Sequence, residues 1–272
     1  MKKIMLSLAL LFMTAGGAMA QGEGPKLGSW KAYDKISKAD RLVGERKAES
    51  FEQAQVLYKE AEDILKADIE KAKAEQKTDK LALLYLQNGQ LQNKMLAPDL
   101  NRAQQGVPFD TIAFCQRIDN IISSYNDAAE YNSKPNAKGK VKEDPAVKMY
   151  TKLGISSLLT LYYDCGAFMD AMGKKQESID YFQKFVDLPK TTPVFTEQEV
   201  DSIYKSQEKV YNTARFNLAL QNFYLKNWDK AIECADAAMV DTANLHDLFL
   251  IKINAYGEKK DSVAWQRTLV EA

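Results

Sequence analysis

Residues Leu225–Met239 read LKNWDKAIECADAAM. Ala231, Ala235 and Ala238 follow Trp228 by three, seven and ten residues, so all four share one face of a helix. Alanines bury little surface of their own. They clear space, either for a ligand or for another helix. Small side chains at i, i+4 and i+7 form a shallow groove, in which a second helix can approach near the lower end of the usual ~8–10 Å interaxial distance. A large aromatic one turn earlier fills the space beside that contact. The alanines are read here as room for a helix.

The same offsets return in Ser50–Ala61 (SFEQAQVLYKEA) as Phe51, Ala54, Tyr58 and Ala61. A weaker copy is Lys175, Ser178, Phe182 and Phe185, with Cys165-Gly166 and the turn Met172-Gly173-Lys174 before it and Leu188-Pro189 after it. These segments resemble the second helix of the tetratricopeptide (TPR) repeat. That family sets an aromatic, a small residue, an aromatic or small residue and an alanine at these offsets. Its first helix carries a leucine and a small residue, as Leu218-Ala219 does here.

The resemblance implies an all-α fold of antiparallel helix pairs stacked as an α-solenoid, each pair covering an apolar face that it cannot bury alone. It is also similar to that of exported repeat proteins of Bacteroidetes-type bacteria. The spacing departs from the family's regular 34-residue period. Phe51 and Trp228 stand 177 residues apart, and Lys175 precedes Trp228 by 53. Insertions or degenerate repeats fill the difference.

In such arrays the first helix of each pair lines a concave surface. Carried over from the Ala231 copy, that surface takes Thr213, Phe216, Asn217, Leu220 and Phe223; the Ser178 copy adds Thr160, Tyr163, Ala167 and Asp170. The mixture of aromatic and polar side chains suits an extended peptide or a partner helix. Asn217 matches one position of the clamp that some members use for a C-terminal carboxylate, but the surrounding lysines and arginine are absent.

At the other end, Lys2 and Lys3 precede the short apolar run Ile4–Met13, and Ala18-Met19-Ala20 supplies small residues for cleavage. Met1–Ala20 reads as a secretory signal with Gln21 as the mature start; an uncleaved membrane anchor is the competing reading. Residues 21–28 (QGEGPKLG) read as a mobile segment, and 29–272 as the helical repeat domain, with the polar loop at 132–146 as the place for any division. The expected destination is the periplasm, with association to the outer membrane or secretion as variants. Without the two signal lysines the chain holds 35 basic and 37 acidic residues, a balance that favours neither nucleic acid nor an anionic membrane. No second long apolar run follows the signal.

Cys115, Cys165 and Cys234 are odd in number and far apart, each on an expected helix. They are read as buried free thiols, with one disulfide as the alternative that an oxidising compartment permits.

Helical periodicity runs through nearly the whole chain from Ser29. Phe114, Ile118, Ile121, Tyr125 and Ala128 form one stripe behind an Asp110 N-cap. Thr196–Glu199 reads as a capping box, with Phe195 and Val200 as a hydrophobic staple. Ten helices in five pairs are expected near 29–43/48–75, 79–103/110–131, 147–172/175–187, 197–225/228–240 and 244–257/261–272.

Signals for catalysis are sparse. His246 is the only histidine, which excludes HExxH and multi-histidine metal chemistry. Ala137–Val141 lacks the first glycine and the hydroxyl of a phosphate loop. Gly154–Leu158 lacks the second glycine of a nucleophile elbow and follows no strand. The chain is therefore expected to be a non-enzymatic scaffold, without cofactor or metal, that binds a protein or peptide. The alternative is a glycan-binding, outer-membrane-associated helical repeat protein whose exposed aromatics stack on sugars.

Overall fold

The computed structural model describes residues 27–136, 139–240 and 244–272. The signal-like Met1–Ala20 and most of the glycine-rich segment after it lie outside the described residues. Eleven helices follow: α1 (Trp30–Gly44), α2 (Ala48–Ala74), α3 (Thr78–Gln105), α4 (Thr111–Asn132), α5 (Pro145–Ala171), α6 (Lys175–Thr191), α7 (Glu197–Ser206), α8 (Glu208–Tyr224), α9 (Trp228–Ala238), α10 (Leu245–Glu258) and α11 (Ser262–Glu271). The described residues contain no strand; Pro135 and Val141 form an isolated antiparallel bridge. The protein is all-helical, with sequence-adjacent helices packed in pairs. It divides into two compact units at Leu158/Leu159, inside α5.

Five connections share one geometry. Each spans three residues, and the central one adopts the left-handed conformation: Arg46 (φ 56°), Gln76 (52°), Gly173 (74°), Lys226 (61°) and Lys260 (58°). In the α8–α9 turn the Lys226 N–H donates to Phe223 O at 3.0 Å and the Asn227 N–H to Asn222 O at 2.9 Å. Gln76-Lys77, Gly173-Lys174 and Lys260-Asp261 repeat both bonds. Carbonyls left over at the helix end thereby find donors, and the chain reverses at once into the next helix. Only Gly173 escapes the left-handed penalty of roughly 1–2 kcal/mol that a Cβ brings.

Counted from these turns, the repeat copies fall into two registers. Ser178 and Ala231 each lie five residues past the left-handed residue, whereas the residue five past Arg46 is Phe51 and Ala54 comes eight past it. The N-terminal copy is thus displaced by one helical turn. All the same, Ala54, Tyr58 and Ala61 are buried with Ala32, Ile36 and Ala39 of α1 and with Leu81, Leu84 and Leu91 of α3. A 27-residue helix packed on two neighbours sets its small residues to suit both.

Large rings also need space. A Cβ on Gly89 or Gly154 would stand 2.7 or 2.4 Å from the Tyr125 ring, so α3 and α5 accept this buried tyrosine only through glycine. Gly154, once weighed as part of a nucleophile elbow, is helix interior. Gly28, expected to end a mobile segment, instead lies against α3, where a Cβ would come within 2.7 Å of Leu84 N. The next residue is held by Gln87, whose amide exchanges hydrogen bonds with the Ser29 N–H (2.9 Å) and carbonyl (3.1 Å).

The local expectations fare well elsewhere. Asp110 caps α4 through the Ala113 N–H at 2.9 Å, and every residue of the Phe114–Ala128 stripe is buried. Both bonds of the Thr196/Glu199 capping box form. All three cysteines are free thiols; Cys115 and Cys165 are buried, and Cys234 is half-buried. Two expectations need correction. The helix expected over 197–225 breaks at Gln207, so α7 and α8 are separate. The break lets both segments bind α6, because the Tyr204 hydroxyl donates to Val186 O (2.7 Å) while Tyr211 stacks on Phe185 at 4.4 Å. Pro189 does not end α6, which continues to Thr191. Proline there removes one N–H in the last turn, and the Thr191 hydroxyl reaches the Asp187 carbonyl at 3.2 Å.

Candidate functional site

The second unit holds two seams built to different measures. Between α5 and α6, Gly166 allows the Phe182 ring to lie so close that a Cβ would stand 2.7 Å from it, and the Ser178 hydroxyl donates to the Gly166 carbonyl at 2.8 Å. Between α8 and α9 the corresponding residues are Ala219, Ala231, Ala235 and Ala238, all buried in one cluster with Leu248 and Ile251 of α10. Seated this way, α8 turns its Phe216–Tyr224 face toward α10. Trp228, one turn before Ala231, packs edge-on against Phe223 at 5.3 Å.

Beside this cluster opens a cleft of about 300 Å³, lined by Phe216, Leu220, Phe223 and Tyr224 of α8 and by Asp247, Leu250, Ile251 and Asn254 of α10. Tyr224 is 58% exposed and Leu250 43%. Asp247 makes no hydrogen bond or ion pair among the described residues, and it is the one charged side chain of the lining.

The seven groove residues expected from the sequence divide by role. Phe216, Leu220 and Phe223 line the cleft. Thr213 turns its hydroxyl back to the Lys209 carbonyl at 2.8 Å. Tyr163 packs against Phe182 (5.4 Å) and Phe185 (5.8 Å) of α6. Burial, then the nearby Asp164 carboxylate, pushes the Tyr163 phenol up, while the Asn217 amide opposes them. Asp170 accepts from Lys175 at 2.5 Å and from the Gln221 amide at 2.8 Å. Lys175 also lies 5.4 Å from the centre of the Tyr224 ring. Only three of the seven therefore face an open space. Of the two further positions, Thr160 and Ala167 are both half-buried.

The α10 half of the cleft was missed. Its signal lay in the turn. Lys226 and Lys260 are 34 residues apart, and Asp247, Leu250 and Asn254 precede Lys260 by the offsets at which Thr213, Phe216 and Leu220 precede Lys226. No small-residue copy marked this pair, because Trp265 occupies the place of Ala231.

A second cavity of about 290 Å³ lies in the first unit, among Thr78, Asp79, Tyr131, Asn132, Lys134 and the chain leading into α5. Its polar groups are mostly spent on one another. The Asn132 amide exchanges bonds with Asp144 N (2.9 Å) and O (3.2 Å), Asp144 caps Ala146 N (2.9 Å), and Thr78 donates to Pro135 O (3.2 Å). Tyr131 has Tyr85 stacked on its ring at 5.6 Å and the Lys134 ammonium 4.2 Å from its centre. This cavity serves to stitch the loop.

Among the described residues one buried carboxylate has neither oxygen hydrogen-bonded. Asp164 of α5 is 1% exposed, neither carboxylate oxygen meets a donor, and burial pushes its pKa up to about 7. Among the described residues no three His, Cys, Asp or Glu side chains group to hold a metal ion, and no helix is long and apolar enough to cross a membrane. His246 is exposed at the start of α10. No family model matches the chain, and no curated protein or solved structure matches it either.

Proposed function

We propose that this protein is a non-enzymatic, periplasmic scaffold of TPR-like repeats that binds a protein or peptide segment across α8 and α10. The open cleft between those helices carries the reading, because Phe216, Leu220 and Leu250 offer apolar surface there. Supporting the repeat assignment, the turns at Lys226 and Lys260 stand at the family's period of 34. The two seams of the second unit place small residues at matching offsets from their turns. The longer interval of 53 between Gly173 and Lys226 accommodates α7, which inserts between two such pairs. A signal-like N-terminus supports export.

Photo-crosslinking in the native envelope tests this reading. A photoreactive residue at Leu220 is expected to yield a discrete protein adduct that Phe216→Glu abolishes. The same group at Val56, an exposed position on α2, serves as the control. Equal labelling at both positions, or no adduct at Leu220, would refute the assignment. A polysaccharide adduct at Leu220 would replace it with the glycan-binding reading.

A further inference from the structure

We infer that the segment bound between α8 and α10 is cationic as well as apolar: an aliphatic or aromatic side chain next to a Lys or Arg. The inference rests on the groove reading above and adds the chemistry of the partner.

The cleft wall is apolar along α8, through Phe216, Leu220 and Phe223, and along the middle of α10, through Leu250 and Ile251. Its one charge is Asp247, in the first turn of α10, and among the described residues no cation is paired with it. Three lysines of this unit are engaged elsewhere. Lys252 is buried and paired with Asp236 at 2.6 Å, and Lys259 is paired with Asp229. Lys175, beside Tyr224, is held by Asp170. An acidic segment would therefore meet a like charge, while a basic one would form an ion pair with it.

Spacing narrows the motif. Leu250 lies three residues beyond Asp247 and Asn254 seven, or roughly 4.5 and 10 Å along a helix rising 1.5 Å per residue. An extended chain covers about 10 Å in three residues. The apolar anchor and the cation therefore fall within about three residues of each other. Asn254, whose amide donates to Leu250 O at 2.8 Å, closes the far end with a polar group.

The test is to pan a library of displayed random peptides against the full chain, then to measure the recovered peptides by fluorescence anisotropy on the wild type and on Asp247→Lys and Phe216→Glu. The expected winners pair a bulky apolar residue with Lys or Arg. Exchanging that cation for Glu should weaken binding about three- to fivefold at low salt, and Asp247→Lys should reverse the preference. Winners lost in Phe216→Glu but indifferent to Asp247→Lys, or enriched in Asp and Glu, would overturn the inference and leave the groove reading intact. If no recovered peptide depends on Phe216, the groove reading fails, and the inference with it.

Discussion

The α5–α6 and α8–α9 seams solve one packing problem with opposite allotments of volume. At matching offsets from their turns, α6 brings Ser178 and Phe182 against Gly166, with Phe185 beyond them, while α9 packs Ala231, Ala235 and Ala238 in one cluster with Ala219. Where one helix carries rings its neighbour gives up even a Cβ, and where it carries alanines the neighbour carries one too. What is held constant is the space shared between two helices rather than the residue at any position. Nine residues before the turns the seams differ again, since α5 places a buried, unpaired Asp164 where α8 places the neutral Asn217.

Emptying the aromatic seam should do the most damage. Phe182→Ala leaves a cavity that Gly166 cannot fill, at an expected cost of about 3–5 kcal/mol in urea unfolding. A cost below about 1 kcal/mol would mean that the ring is not a packing element.

Asp164 provides a contrast that depends on pH. Its pKa of about 7 in the folded protein lies above the ordinary carboxylate value, so the folded state holds a proton that the unfolded chain releases. Stability should therefore be highest below about pH 4 for this group and fall as pH rises through 7, by an amount on the order of a few kcal/mol. Asp164→Asn, which copies the α8 residue, should flatten that slope. An unchanged pH profile would show that the carboxylate is solvated.

Overfilling the alanine seam comes next. Ala231→Leu should cost about 1–3 kcal/mol, because Ala219 and α10 lie against that face. If thermal stability is unchanged, the alanines face open space.

The turns give the smallest effect and the only gain. Lys226→Gly removes a left-handed Cβ and should stabilise by about 1 kcal/mol, making this turn resemble that at Gly173. A loss of stability would show that the Lys226 side chain contributes more than its strain costs.

The alanine face of α9 was legible because helical spacing of small residues has few other uses, and Asp110 and Thr196–Glu199 were legible because capping is local chemistry. The break at Gln207 was not. Lys205–Lys209 (KSQEK) fits a helix interior, and only the pull of α6 on both Tyr204 and Tyr211 separates α7 from α8. The one-turn displacement in α2 escaped notice because its origin lies in the turn, where Arg46 shows no glycine to mark a left-handed residue. Three of the four α8 residues of the cleft were read from the α9 pattern, Tyr224 being the exception. The α10 half, Asp247 to Asn254, had no pattern to follow, since α11 carries Trp265 where α9 carries Ala231. Tyr163 and Asp170 share the expected face but have partners supplied by α6 and α8, which sequence spacing cannot show.

A double-mutant cycle at Gly166 and Phe182 reaches the central claim most directly. Gly166→Ala should destabilise by forcing the ring aside, and Phe182→Leu should destabilise by leaving a gap. Together the new methyl should occupy part of that gap, so the pair should be more stable than the sum of the two losses predicts by about 1 kcal/mol or more in urea unfolding. Strict additivity would contradict the account, because the two helices would then not share that space.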